Sequence, residues 1–314
     1  MEFKPPEVLK WKALKKELHS KTGSLTQFGF HKLGSGSFSR GVYRAKNRKR
    51  GVVAVKVVTG KDHTTHLERE AQLLLNVKHK HIVECYATPR IRAKFSYLIL
   101  EYVEGCDLLT FLSERTPPLP RQKLTRTMSD FAMLGRRHIS RALLLALEYL
   151  HKQGIVHNDV KPENIVIGAT TLSKVNDDTL VKLVDFGLAC LIEDIGRNNI
   201  GFAGSLDWCS PEKISGDVTA LGCAGDIYSF GLIVYSLMTS HAAYHVPTDL
   251  SQEEMYILVE KANNRIQRDV VDGELGLLAR TDVKALLLSS TKFLPAQRKT
   301  AEQLLEYDFF LEMD

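Results

Sequence analysis

The chain has 314 residues, 44% of them hydrophobic and 25% charged, and a formal net charge of +5. That hydrophobic content sustains a core of ordinary size and excludes a disordered chain, while the mild positive excess demands neither nucleic acid nor a membrane surface. The five cysteines are odd in number and show no CxxC spacing, which suggests neither a disulfide framework nor a zinc knuckle and favours a reducing compartment.

Residues 1–27 read as an N-terminal extension. Val8, Leu9, Trp11, Leu14 and Leu18 recur at near-helical spacing among Lys10, Lys12, Lys15 and Lys16, which predicts a short basic amphipathic helix after Pro5-Pro6. Packing on its own domain is the plain reading of that helix, and docking to a regulatory partner or an anionic surface is the other. The start has no apolar run suited to a signal peptide, and no window approaches the roughly 18 to 20 apolar residues of a membrane span. An intracellular protein, cytoplasmic or nuclear, is expected.

From residue 28 to 101 short alternating apolar runs (FGFHKLGSG, GVYRAKN, GVVAVKVV, SYLILEYV) are interrupted by one helical stretch, His66 to Val77. This predicts a small antiparallel sheet with a single main helix. Residues 101–107 form the join. Beyond them, residues 108–312 carry helical periodicity in RRHISRALLLALEYLHKQG, GDIYSFGLIVYSLMTS, EEMYILVEKANNRI and TAEQLLEYDFFLEM, a larger and mainly helical part. Two polar, turn-rich segments near 116–130 and 169–179 read as surface insertions. Arg115, Arg121, Lys123 and Arg126, followed by Arg136, Arg137 and His138, read first as a solvated basic surface and second as a docking patch for an acidic partner.

Three motifs carry chemistry. Leu33-Gly34-Ser35-Gly36-Ser37-Phe38-Ser39-Arg40-Gly41-Val42 is a glycine-rich hairpin whose backbone amides suit phosphates, although a plain hairpin explains it equally well. Val53-Ala54-Val55-Lys56 places an ammonium in an apolar strand, and Glu70, 14 residues on, is a candidate counter-charge. The third motif decides the reading: His157-Asn158-Asp159-Val160-Lys161-Pro162-Glu163-Asn164, then Val181-Lys182-Leu183-Val184-Asp185-Phe186-Gly187. A carboxylate, an ammonium and an amide lie within six residues, with a second carboxylate on a Phe-Gly turn. Phosphoryl transfer uses such a set to orient and deprotonate a hydroxyl, to ligate Mg²⁺ and to place positive charge at the moving group.

At these residues the chain resembles the eukaryotic-type protein kinase family, over nearly its whole length beyond residue 28. The resemblance implies an α+β, bilobal kinase-like fold over 28–312, with an N-lobe at 28–101, a hinge at 101–107 and a C-lobe at 108–312. It also implies ATP and Mg²⁺ as cofactors and protein substrates as partners, with no nucleic acid. Lys56 then holds the α and β phosphates and pairs with Glu70. Asp159 receives the substrate hydroxyl proton, Lys161 contacts the transferring phosphate, and Asn164 and Asp185 hold metal ions. Leu33, Gly34, Ser35 and Gly36 cover the nucleotide, and Val42, Ala54 and Val166 sandwich the adenine. Leu100 guards the pocket behind it, Glu101 and Val103 of the hinge present backbone groups, and Asp107 meets the ribose. Ser210-Pro211-Glu212 stands where the family has Ala-Pro-Glu, Arg298 is the implied partner of Glu212, and Asp226 opens the long central helix. Lys-Pro-Glu-Asn in the loop and Leu188 after Asp-Phe-Gly resemble serine/threonine kinases.

Two departures agree with one another. Asn158 replaces the arginine that in many relatives clamps a phosphorylated activation loop, and an amide lacks the bidentate charge of a guanidinium. Leu188 to Gly204 contains no Ser, Thr or Tyr. Activity without phosphorylation of that loop is therefore expected. Ser205 falls where relatives have a threonine that bonds the catalytic Asp and Lys. A catalytically weak pseudokinase scaffold and a small-molecule kinase stand as alternatives.

Overall fold

Val53, Val55 and Val57 alternate with Val52, Ala54, Lys56 and Val58, and this period of two sets the central strand of the first part of the molecule. A computed structural model of the protein describes residues 25–34, 39, 41–91, 95–115, 129–196, 204–247, 249–272 and 280–311. The amphipathic segment after Pro5-Pro6, Ser35 and Gly36 of the glycine-rich hairpin, and Arg121, Lys123 and Arg126 lie outside the described residues.

Five strands form an antiparallel sheet in the order β1-β2-β3-β5-β4: β1 (Leu25–Gly34), β2 (Gly41–Asn47), β3 (Gly51–Val58), β4 (Arg90–Ile91) and β5 (Ser96–Glu101). Register places Val42, Lys56 and Leu98 in one cross-strand row and Arg44, Ala54 and Leu100 in the next, all on one face. Tyr43, Ala45, Val53, Val55, Val57, Tyr97 and Ile99 point the other way and join Phe95 in a buried apolar cluster. Helix α1 (Lys61–Leu75) packs against β3 and β5. It begins five residues before the predicted His66, because its first turn, Lys61 to Thr65, holds no apolar residue from which a period can be read. The backbone marks the start instead: Gly60 takes φ 95°, and the Thr64 hydroxyl donates to its carbonyl.

The remaining helices are α2 (Leu108–Arg115), α3 (Ser129–Lys152), α4 (Pro211–Ser215), α5 (Cys223–Thr239), α6 (Gln252–Asp272), α7 (Thr281–Ser290), α8 (Ala301–Leu305) and α9 (Asp308–Leu311). Short strands β6 (Cys106–Asp107), β8 (Ile165–Ile167) and β9 (Val181–Leu183) form a three-stranded sheet in the order β6-β8-β9, and β7 (Ile155–Val156) pairs with β10 (Cys190–Leu191). Helix α5 is apolar on every side and is buried continuously from Asp226 to Thr239, which makes it the core element of this part.

Two expectations are corrected here. Arg136, Arg137 and His138 are no solvated surface: all three are buried on α3. Arg136 donates to the Leu237 carbonyl near the end of α5 at 2.6 Å, Arg137 pairs with Asp282 at 2.7 Å, and His138 meets Asp177 at 3.0 Å. Nor is 169–179 wholly a surface insertion. Ala169, Leu172 and Val175 are buried, and the Leu172 carbonyl lies so close to Gly135 of α3 that a Cβ there would stand 2.1 Å from it.

The chain divides into two compact units. One runs to Lys78 and resumes from Val83 to Val103; the other joins His79–Ile82 to everything from Glu104 onward. Within that second unit His81 accepts at its carbonyl from the Leu183 N–H at 2.9 Å, Ile82 bridges Leu183, and the His79 ring stacks on Tyr149 at 5.1 Å. Among the described residues no helix is long and apolar enough to cross a membrane, and all five cysteines are free thiols.

Candidate active site

In the first unit Lys56 is 2% exposed, and its Nζ donates to both carboxylate oxygens of Glu70 on α1, at 2.8 and 2.7 Å. An ammonium left unpaired at this depth would cost several kcal/mol, so the pair fixes helix against strand. Ala54 and Leu100 are buried directly opposite one another on the same sheet face, beside half-buried Val42. Leu33 and Gly34 close β1 and are exposed. The Glu101 carboxylate ends β5 by accepting from the Glu84 N–H at 3.0 Å, and Val103, half-buried, is the last residue of the unit.

In the second unit β7 and β8 bracket the loop from His157 to Asn164. Asp159 is 5% exposed, and one of its oxygens, Oδ2, lies 2.9 Å from Lys161 Nζ and 3.1 Å from Asn164 Nδ2. The other, Oδ1, accepts from the Ser205 N–H at 3.3 Å. The Ser205 hydroxyl meets Lys161 Nζ at 2.7 Å, so this serine reaches the lysine through its side chain and the aspartate through its backbone N–H only. Asn164 spends its Nδ2 on Asp159, donating to the backbone carbonyl at 2.8 Å as well, which leaves Oδ1 as the acceptor end.

Asp185 stands on a tight turn at φ 60°, with its carboxylate accepting from the Gly187 N–H at 3.3 Å. Phe186 beside it is buried edge-on against the His157 ring at 4.7 Å, and the Val184 N–H donates to the Asn164 carbonyl at 2.8 Å. Asn164 and Asp185 are thus tied through the backbone. An amide oxygen and a carboxylate are hard oxygen donors of the kind Mg²⁺ takes alongside phosphates, so the residues present fit that ion. Val166 faces Asp107 across β8 and β6. Asp107 caps α2, accepting from the Thr110 N–H at 2.9 Å and the Thr110 hydroxyl at 2.8 Å.

Supporting residues brace this loop, and His151 among them belongs to no motif read from the sequence. Asp226, at the head of α5, accepts from the N–H groups of His157 and Asn158 at 2.8 and 2.9 Å and meets His151 Nε2 at 3.0 Å. Burial alone would depress the His151 pKa, but bonds to Asp226 and Cys223 outweigh it and raise the value to about 9. Asp226 is held in turn below the usual carboxylate range: burial pushes its pKa up, and the bonds from His151 and from the loop outweigh that. Burial lowers the pKa of His157. The one sequence signal for Asp226 was a carboxylate opening an otherwise apolar helix. Asn158, at φ 65°, donates from its amide to the Leu188 carbonyl at 3.2 Å and to Cys190 Sγ at 3.1 Å. Glu212 and Arg298 form the implied pair through two bonds, at 2.6 and 2.7 Å.

A sequence model of the protein kinase domain matches residues 29–310. The chain belongs to the protein kinase family. Serine/threonine-protein kinase 33 of Bos taurus is 29% identical to this kinase over 285 residues, covering 87% of this chain and 53% of its own. A calcium/calmodulin-dependent protein kinase of Emericella nidulans is 30% identical over 288 residues, covering 90% and 62%. The crystal structure of Rad53 1-466 in complex with AMP-PNP matches with a TM-score of 0.66 and 24% identity over 91% of this kinase and 65% of that chain, a likeness of fold alone. The kinase spans about half the length of the curated relatives it matches.

Proposed function

We propose that this kinase transfers the γ-phosphoryl group of ATP, with Mg²⁺, to serine or threonine hydroxyls of protein substrates. The observation that carries the proposal is the setting of Asp159: a buried carboxylate oriented by Asn164 and the Ser205 N–H, with the Lys161 ammonium 2.9 Å away. One such carboxylate orients a hydroxyl and takes its proton, and the adjacent cation favours charge building on the transferred group. Asn164 Oδ1 and the Asp185 carboxylate hold the metal, which when bound neutralises phosphate charge. Lys56, fixed by Glu70, holds the α and β phosphates. Leu33, Gly34, Val42, Ala54, Leu100, Glu101, Val103, Asp107 and Val166, with Ser35 and Gly36, are the proposed nucleotide contacts. ATP is supported by the AMP-PNP named with the Rad53 structure, and hydroxyl specificity by the serine/threonine kinases among the relatives.

Activity without phosphorylation of the activation loop belongs to the same proposal. It is supported by the lack of hydroxyl side chains from Leu188 to Gly204 and by the commitment of the Asn158 amide to Leu188 and Cys190. The test is transfer of radiolabelled γ-phosphate to a generic protein substrate and to the chain itself after phosphatase treatment, wild type against Asp159→Asn. Phosphoserine or phosphothreonine from wild type, with a loss of about 100-fold or more in the variant, is expected. ATP binding without transfer by the wild type would overturn the proposal in favour of a scaffold.

A further inference from the structure

The peptide unit between Asn158 and Asp159 is held at both ends. Its N–H, on Asp159, donates to His157 Nδ1 at 3.3 Å. Its carbonyl, on Asn158, accepts from the ammonium of Lys213, the residue that follows Ser-Pro-Glu. Because the unit is planar, fixing oxygen and N–H together fixes its rotation, and with it the direction in which the Asp159 side chain leaves the backbone. That restraint matters here, since Asn158 sits in the left-handed region at φ 65°, a conformation that costs a residue other than glycine on the order of 1 kcal/mol or more.

Lys213 is itself an unusual residue to find in this place. It is 9% exposed, pairs with no carboxylate among the described residues, and lines the same small cavity as Asp159, Ser205 and Ser210. Gly204, at φ 151°, makes room for it, because a Cβ there would stand 3.0 Å from the ammonium. A buried cation that pairs with no carboxylate among the described residues adds little to stability, so its place here points to another role.

We infer that Lys213 is a positioning residue for the phosphoryl-transfer reaction, a fixed internal cation that holds the Asn158–Asp159 peptide in its working orientation without any phosphate on the activation loop. The inference rests on the reading of Asp159 as the catalytic carboxylate. Lys213 acts through the backbone carbonyl of Asn158.

The experiment compares phosphatase-treated wild type with Lys213→Met, Lys213→Gln and Lys213→Arg, measuring kcat, KM for peptide and for ATP, nucleotide affinity and thermal unfolding. Lys213→Met is expected to lower kcat about 10- to 100-fold with nucleotide affinity within about 2-fold of wild type, because a displaced catalytic group slows chemistry without weakening binding. Lys213→Arg is expected to recover most of the loss. Should Lys213→Met fail to fold, Lys213→Gln, which keeps a donor and loses the charge, is expected to show the same drop in kcat. A kcat within about 2-fold of wild type in the uncharged variants would overturn the inference while leaving the kinase reading intact. So would a loss that tracks nucleotide affinity and unfolding temperature and is not recovered by arginine. A wild-type chain that transfers no phosphate overturns both.

Discussion

His151 keeps a proton that burial opposes, because Asp226 and Cys223 hold it. The sign of the pH dependence follows. A folded pKa of about 9 against an ordinary 6.5 means that the stabilisation is complete below pH 6.5 and is lost as pH rises through 9. Chemical denaturation should show wild type losing roughly 3 kcal/mol across that window relative to His151→Gln. Parallel curves for the two proteins would contradict it. Asp226 contributes in the opposite sense, stabilising at neutral pH and losing that contribution as pH falls through its depressed pKa. Legibility at this scale tracked spacing. Lys56 with Glu70 and Glu212 with Arg298 were readable because each sits in a motif whose partner has a fixed address. His151 lies 75 residues from Asp226 with nothing local to mark it, and Lys213 reads as one more lysine on a short helix.

Among the elements, α5 shows how little slack the core has. A Cβ on Gly231 would meet Thr291 Cγ2 at 2.5 Å and Ser290 Oγ at 2.6 Å, both at the end of α7. Gly231→Ala gains helix propensity yet should destabilise the protein by about 1 to 3 kcal/mol in urea denaturation, since overpacking outweighs the propensity gain. A variant as stable as wild type would mean that α5 and α7 part more easily than their contact suggests. Strands and helices with a clear apolar period were legible, as β3, α3 and α5 are. Elements whose cause lies elsewhere in the fold were not. The basic run Arg136 to His138 reads as surface because charge usually faces water, but α3 buries it against the Leu237 carbonyl and two acidic partners. Leu172 and Val175 were lost inside a polar segment for the complementary reason: two apolar residues make no period.

At the scale of the whole molecule, the order of the motifs along the chain was enough to read the kinase class, because glycine hairpin, Lys-Glu pair, loop and Asp-Phe-Gly occur together in that sequence only for a reason. The division between units was less legible. His79–Ile82 lies within sequence that otherwise builds the small sheet, yet it belongs to the helical unit. Ile82→Ala in the full chain should therefore cost about 2 to 5 kcal/mol and speed amide exchange at Leu183 in β9 rather than in β3. Faster exchange confined to β3 and β5 would refute that assignment. The same four residues also bear on assembly. Because the chain passes between the units at Lys78, Ile82 and Val103, the small unit is sewn in at three places, and exchanging it between two copies would require unpicking the Leu183–His81 bond and the His79–Tyr149 stack as well as opening one connection. Exchange of the small unit as a body, the cheap route to a dimer for proteins whose halves hang on a single connection, is made costlier by that threading.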